Sequence, residues 1–118
     1  MSEQPEPFAG GGDDPVFSSM LAECPELWDI VKRFSDALPS LVTDLEDALR
    51  AGSRERLVSL AERLKAAGES HGYAQLAERA CAIEAAAQDG LLDGLERKIT
   101  ELSELTAQIK AGLRVEGA

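Results

Sequence analysis

From Leu27 onward the apolar residues recur at a helical interval. Leu27, Val31, Phe34, Leu38, Leu41, Leu45 and Ala48 alternate steps of four and three, which is the inward stripe of an amphipathic bundle helix. Pro39 falls inside this run and is predicted to kink or split it. Gly52 ends the run, and Ser53 is placed to cap the next helix. A second stripe follows at Leu57, Leu60, Ala61, Leu64 and Ala67, then fades between residues 68 and 72. A third comprises Tyr73, Leu76, Ala80, Ile83 and Ala87, closed by Gly90. The fourth is Leu92, Leu95, Ile99, Leu102, Thr106, Ile109 and Leu113. These stripes predict helices near 25–51, 54–68, 73–89 and 91–112. Connections of a few residues make consecutive helices antiparallel neighbours. The predicted fold is therefore all-α, an antiparallel four-helix bundle.

The pattern ahead of Leu27 differs. Pro15 to Leu21 carries Val16, Phe17, Met20 and Leu21, enough for a short helix laid across the bundle, and Pro25 suits a first helical turn. Residues 1–14 hold two prolines, three consecutive glycines and four acids. Such a segment buries too little to offset its ordering entropy, so a flexible tail is expected there, with a single domain over 15–118.

Composition narrows the picture. Alanine and leucine supply 34 residues while valine, isoleucine and threonine supply 12, which favours helices and argues against a β-sandwich. Aromatic residues at 4% leave no platform for stacking bases. The net charge of −10 repels phosphate backbones and anionic lipid, so neither nucleic acid nor membrane is an expected partner. No run approaches the length of a membrane span, and Glu3 and Glu6 do not resemble a secretory leader. Cys24 and Cys81 fit no metal or C-x-x-C spacing. Lying in or beside apolar helical patterns, they are predicted to be buried free thiols in a reducing cytoplasm.

Few parts for catalysis are present. There is one histidine, His71, with no phosphate-cradling glycine loop, no nucleophile elbow and no Glu-x-x-His pair. No cofactor and no metal is implied. One stretch departs from the acidic average: Arg50, Arg54, Arg56, Arg63 and Lys65 outnumber Glu55 and Glu62, a local +3. It either balances the acidic first helix, with Glu26, Asp29, Asp36, Asp44, Glu46 and Asp47, or presents a docking face to an acidic partner.

The segment Ala61-Glu62-Arg63-Leu64-Lys65-Ala66-Ala67, followed by Gly72-Tyr73, Leu76 and Ile83-Glu84-Ala85-Ala86, resembles the histidine-containing phosphotransfer (Hpt) domains of multistep phosphorelays. That family's second helix reads A-H-x-L-K-G-A-A before a glycine-containing stretch. Phe34, Leu38-Pro39, Leu41, Leu45 and Ala48-Leu49 are similar to its first bundle helix. The resemblance covers roughly residues 25–112 and is strongest from Leu57 to Gly90.

The resemblance implies a role in two-component signalling and a response-regulator receiver domain, or a hybrid histidine kinase, as partner. It also puts Glu62 where the family carries its phosphoacceptor histidine, and Ala66 where it carries glycine. A carboxylate is a weak nucleophile for this chemistry, and its charge opposes an incoming phosphoryl group. The expectation is a domain that docks receivers without accepting phosphate and is not an enzyme. The expected contact face comprises Glu62, Arg63, Lys65, Ala66 and Glu69, with Glu62 paired to Lys65 one turn on. His71 follows Glu62 by nine residues, about 900° of rotation and so the opposite side of a helix. It is expected in the turn, as a surface or capping residue. Two alternatives stand beside this reading: a structural or oligomerising bundle with no relay role, and phosphotransfer through His71.

Overall fold

A computed structural model of the protein describes residues 15–116. Five helices follow one another: α1 (Ser19–Glu23), α2 (Trp28–Arg50), α3 (Arg54–Ser70), α4 (Ala74–Gln88) and α5 (Leu95–Glu116). Single 3₁₀ turns at Pro25–Leu27 and Leu92–Gly94 lead into α2 and α5. There is no strand among the described residues. The expected flexible tail lies outside the described residues.

The long helices pack in a ring, α2 against α3, α3 against α4, α4 against α5 and α5 back against α2. This is the antiparallel four-helix bundle that the apolar spacing predicts. Its core contains Leu38 and Leu45 from α2, Leu57 and Leu64 from α3, Leu76 and Ile83 from α4, and Leu95, Ile99, Leu102 and Ile109 from α5. Ser53 caps α3 as expected, its Oγ accepting from the Arg56 amide at 3.3 Å.

Four details depart from the sequence reading. Helix α2 passes through Pro39 without dividing. Pro39 lies on the exposed side, so its ring displaces no core side chain. Beyond Leu38 the buried stripe rotates by one position, so Val42 is buried while Leu41 is only partly so. On α5, Leu105 is buried and Thr106 is not. Helix α3 extends to Ser70 because Gly68 serves close packing rather than chain termination. A Cβ there would lie 3.1 Å from the Ala77 amide nitrogen and 3.3 Å from the Leu76 Cβ. The fourth departure concerns the thiols. Both are free, but Cys81 is exposed and Cys24 only partly covered, since Cys81 sits one residue beyond buried Ala80 and turns outward.

The N-terminal segment is fastened at both ends. The Val16 amide donates to the Gln108 carbonyl on α5 at 3.0 Å, and the Ser19 amide donates to the Gly72 carbonyl at 2.9 Å. Ser18 is buried with its hydroxyl engaged as both donor and acceptor, donating to the His71 carbonyl at 2.7 Å and accepting from the Leu21 amide at 3.2 Å. Two glycines make room for this segment. Gly72 takes a left-handed φ of 82°, and a side chain on it would meet Met20 and Ser18. One on Gly112 would run into the Val16 backbone.

Gly112→Ala is therefore expected to cost about 1–3 kcal/mol by forcing the segment off α5. Gly94→Ala, where the added methyl meets nothing within 4 Å, is expected to stay within about 0.5 kcal/mol of the parent. Urea denaturation followed by far-ultraviolet circular dichroism measures both.

Candidate functional site

Helix α3 presents the expected contact face, and its orientation follows from the core. Leu57, Leu60, Ala61, Leu64 and Gly68 are buried. At about 100° per residue, the line opposite their centre runs through Glu55, Ser59, Glu62, Ala66 and Glu69. All five are exposed. Lys65 is half-buried on one flank of this line, and exposed Arg63 stands on the other. The structure thus brings Glu62, Arg63, Lys65, Ala66 and Glu69 together on the outer half of one helix.

The charge layout is finer than the local excess of basic residues suggests. Three carboxylates, Glu55, Glu62 and Glu69, recur every seven residues and form a ridge with small residues between them. The cations stand beside this ridge: Arg56 and Arg63 to one side, Arg54 and Lys65 to the other. Two of the five basic residues are engaged elsewhere. Arg50 pairs with Asp47 on its own helix at 3.3 Å, and the Arg54 guanidinium donates to the Gln88 carbonyl at the end of α4. Arg56, Arg63 and Lys65 have no ion pair among the described residues, and none joins Glu62 to Lys65. No ion pair links α2 with α3 among the described residues either. Among the described residues the basic stretch meets the acidic helix in one ion pair, Arg50 with Asp47, both on α2, while Asp36 pairs with Lys32 of the same helix.

His71 lies away from that face, as helix geometry requires. It closes α3 at the C-cap position. Its ring stacks on Phe34 of α2, with centroids 4.2 Å apart and planes 6° from parallel. Nδ1 is 2.7 Å from the Ala67 carbonyl oxygen. A carbonyl only accepts, so Nδ1 carries the proton and donates. The imidazole is thereby fixed from two directions, and its backbone carbonyl takes the Ser18 hydroxyl. This is the turn-capping role expected from the sequence.

Two features escaped sequence reasoning. The contact between Phe34 and His71 joins distant positions, and no local signal announces it. The carboxylate ridge was detectable from the seven-residue spacing of Glu55, Glu62 and Glu69, had the charges been projected on a helix rather than summed along a window. No group of three or more histidine, cysteine, aspartate or glutamate side chains is arranged to hold a metal ion among the described residues.

A family model described as Hpt domain matches residues 29–112, which takes in α2, α3, α4 and most of α5. No curated protein and no solved structure matches the chain.

These roles separate in stability measurements. His71→Ala removes a stacked ring and a hydrogen bond and is expected to lower the unfolding free energy by about 1–2 kcal/mol. Glu62→Ala, on an exposed face with no ion pair to lose among the described residues, is expected to change it by less than about 0.5 kcal/mol. Equilibrium urea unfolding of the two variants measures this difference.

Proposed function

The chain belongs to the Hpt domain family, the phosphotransfer modules of two-component phosphorelays, and from that premise we propose that it docks receiver domains on α3 without itself accepting phosphate. One observation carries the reading. Glu62 projects from the outer face of α3, at the position where the family resemblance places the acceptor imidazole. The one histidine of the chain is held on another side by Phe34 and Ala67.

The chemistry follows from these two facts. Phosphoryl transfer from a receiver aspartate needs a neutral nitrogen nucleophile that can approach the phosphorus in line. At Glu62 the incoming group meets a carboxylate, which repels it and is the weaker nucleophile. Contact is a separate matter from transfer. Ala66, one turn beyond Glu62, leaves the face open for a bulky partner. Arg63 and Lys65 flank the ridge with charges that suit the carboxylate cluster at a receiver's phosphorylation site. Such complementarity acts mainly on the rate of encounter and on orientation. By occupying a receiver's docking surface, the domain would compete with active phosphotransfer partners or hold the receiver in place. The cytoplasm is the setting that this role requires, and no described helix is long and apolar enough to cross a membrane.

Incubation with a phosphorylated receiver is expected to leave the protein without acid-labile phosphate. Label on His71 that His71→Ala abolishes would transfer the activity to that residue. Glu62→His is expected to introduce labelling, because Lys65 and Ala66 already surround the position.

Binding tests the docking half of the reading. Arg63→Glu with Lys65→Glu is expected to slow association with a receiver about tenfold at low salt, and less at high salt. Arg97→Glu with Lys98→Glu, the same charge change on the diagonally placed α5, is expected to have a smaller effect. Surface-binding kinetics at two salt concentrations measures both. A protein that binds no receiver at all would be a structural bundle.

A further inference from the structure

We propose that the protein distinguishes the two states of its partner: it holds a receiver whose aspartate is unphosphorylated and releases one whose aspartate carries a phosphoryl group, with the Glu62 carboxylate as the discriminating charge. The inference rests on the docking reading above and adds to it a preference set by one side chain.

The geometry of transfer supplies the first step. A phosphoryl group passes only between atoms held about 3–3.5 Å apart, so the acceptor position on a phosphotransfer surface is the one that faces the receiver aspartate. Here that position holds Glu62, exposed on the outer line of α3. Its neighbours one turn away on that line, Ser59 and Ala66, are exposed and uncharged. Glu62 makes no ion pair among the described residues, so no partner on this chain cancels its charge.

Distance then separates Glu62 from the other charges of the face. Glu55 and Glu69 lie seven residues to either side, about 10 Å along the axis. That is roughly one Debye length at physiological salt, so their influence at the centre is largely screened. Arg63 and Lys65 stand about 100° to one side and about 60° to the other, and Lys65 is half-buried. These cations face the rim of a contact centred on Glu62 and attract an acidic receiver in either state. Glu62 alone faces the group that changes. Phosphorylation adds about one unit of negative charge there at pH 7, with three further oxygens. Like charges opposed across a contact repel more strongly than in open solvent, because less water lies between them. A neutral imidazole meets no such repulsion. The substitution that removes the nucleophile therefore also installs a sensor of the partner's phosphorylation.

The test titrates single-domain receivers of the source organism into the full-length protein by calorimetry, at matched magnesium concentration. Each receiver is used with its aspartate free and with beryllofluoride bound there as a stable stand-in for the phosphoryl group. The free form is expected to bind about tenfold more tightly. Glu62→Gln, which keeps the size and removes the charge, is expected to bring the two affinities within about twofold of each other. Glu55→Gln with Glu69→Gln is expected to keep most of the preference. Equal affinity for both forms overturns the inference and leaves the docking reading standing. Tighter binding of the beryllofluoride form also overturns it, and shows that Arg63 and Lys65 hold the phosphoryl group instead. A preference that survives Glu62→Gln overturns the assignment to this carboxylate. Failure of every receiver to bind in either form overturns the docking reading, and this inference with it.

Discussion

The close approach of α3 to α4 governs the rest of this structure. At Gly68 the two helices come so near that a methyl group would press on the Ala77 amide and the Leu76 side chain. That contact sets the rotation of α3 about its own axis. With Gly68, Leu64, Ala61 and Leu57 turned inward, a rigid helix has no freedom left in where it sends Glu62, Ala66 and Glu69. Their outward position is a consequence of core packing and needs no interaction of their own. The corner that follows has a similar economy. Gly72 turns the chain in a left-handed conformation and leaves room for Met20 and Ser18. The neighbouring His71 and Tyr73 then reach Phe34 from the same corner.

The bundle was legible because each long helix carries its own apolar stripe, and a stripe is a local property. Tyr73, Leu76, Ala80, Ile83 and Ala87 are all buried as expected. What escaped was decided between helices. Gly68 resembles a stop signal to anyone who sees only α3, and its purpose is visible only once Ala77 faces it. Pro39 resembles a break until its exposed position shows that the core is not disturbed. Cys81 looks apolar enough to be buried, but its neighbour Ala80 already fills the inward position. The contact face shows the same division. That Glu62 is exposed follows from the stripe around it. That Arg50 and Arg54 are spent on Asp47 and Gln88 depends on partners outside the segment, so a charge sum over residues 50–65 overstates what α3 offers.

Position and chemistry separate cleanly in this protein. Family membership rests on residues 29–112, which are largely the residues that build the bundle. A bundle tolerates any side chain at an exposed position of α3, so a substitution at residue 62 leaves the fold intact while changing what the surface can do. The α3 ridge, solvated and charged, is where such a change would be felt.

The hydrogen bond from Val16 to Gln108 ties the first described residues to the last helix, and it has a consequence for the order in which the molecule assembles. Neighbouring helices close short loops and meet early, whereas a contact between the two ends of the chain must wait until the intervening helices have brought those ends together. The N-terminal segment is thus the last piece to dock and the first to lift during native-state fluctuations. It packs Val16, Met20 and Leu21 against the core, fewer apolar side chains than any long helix contributes, so its opening would cost less than global unfolding and leave the four long helices in place. In hydrogen exchange the Val16 and Ser19 amides would then lose protection together, well before those of α3 and α4. The bundle and its fastening would then behave as two cooperative units within one short chain.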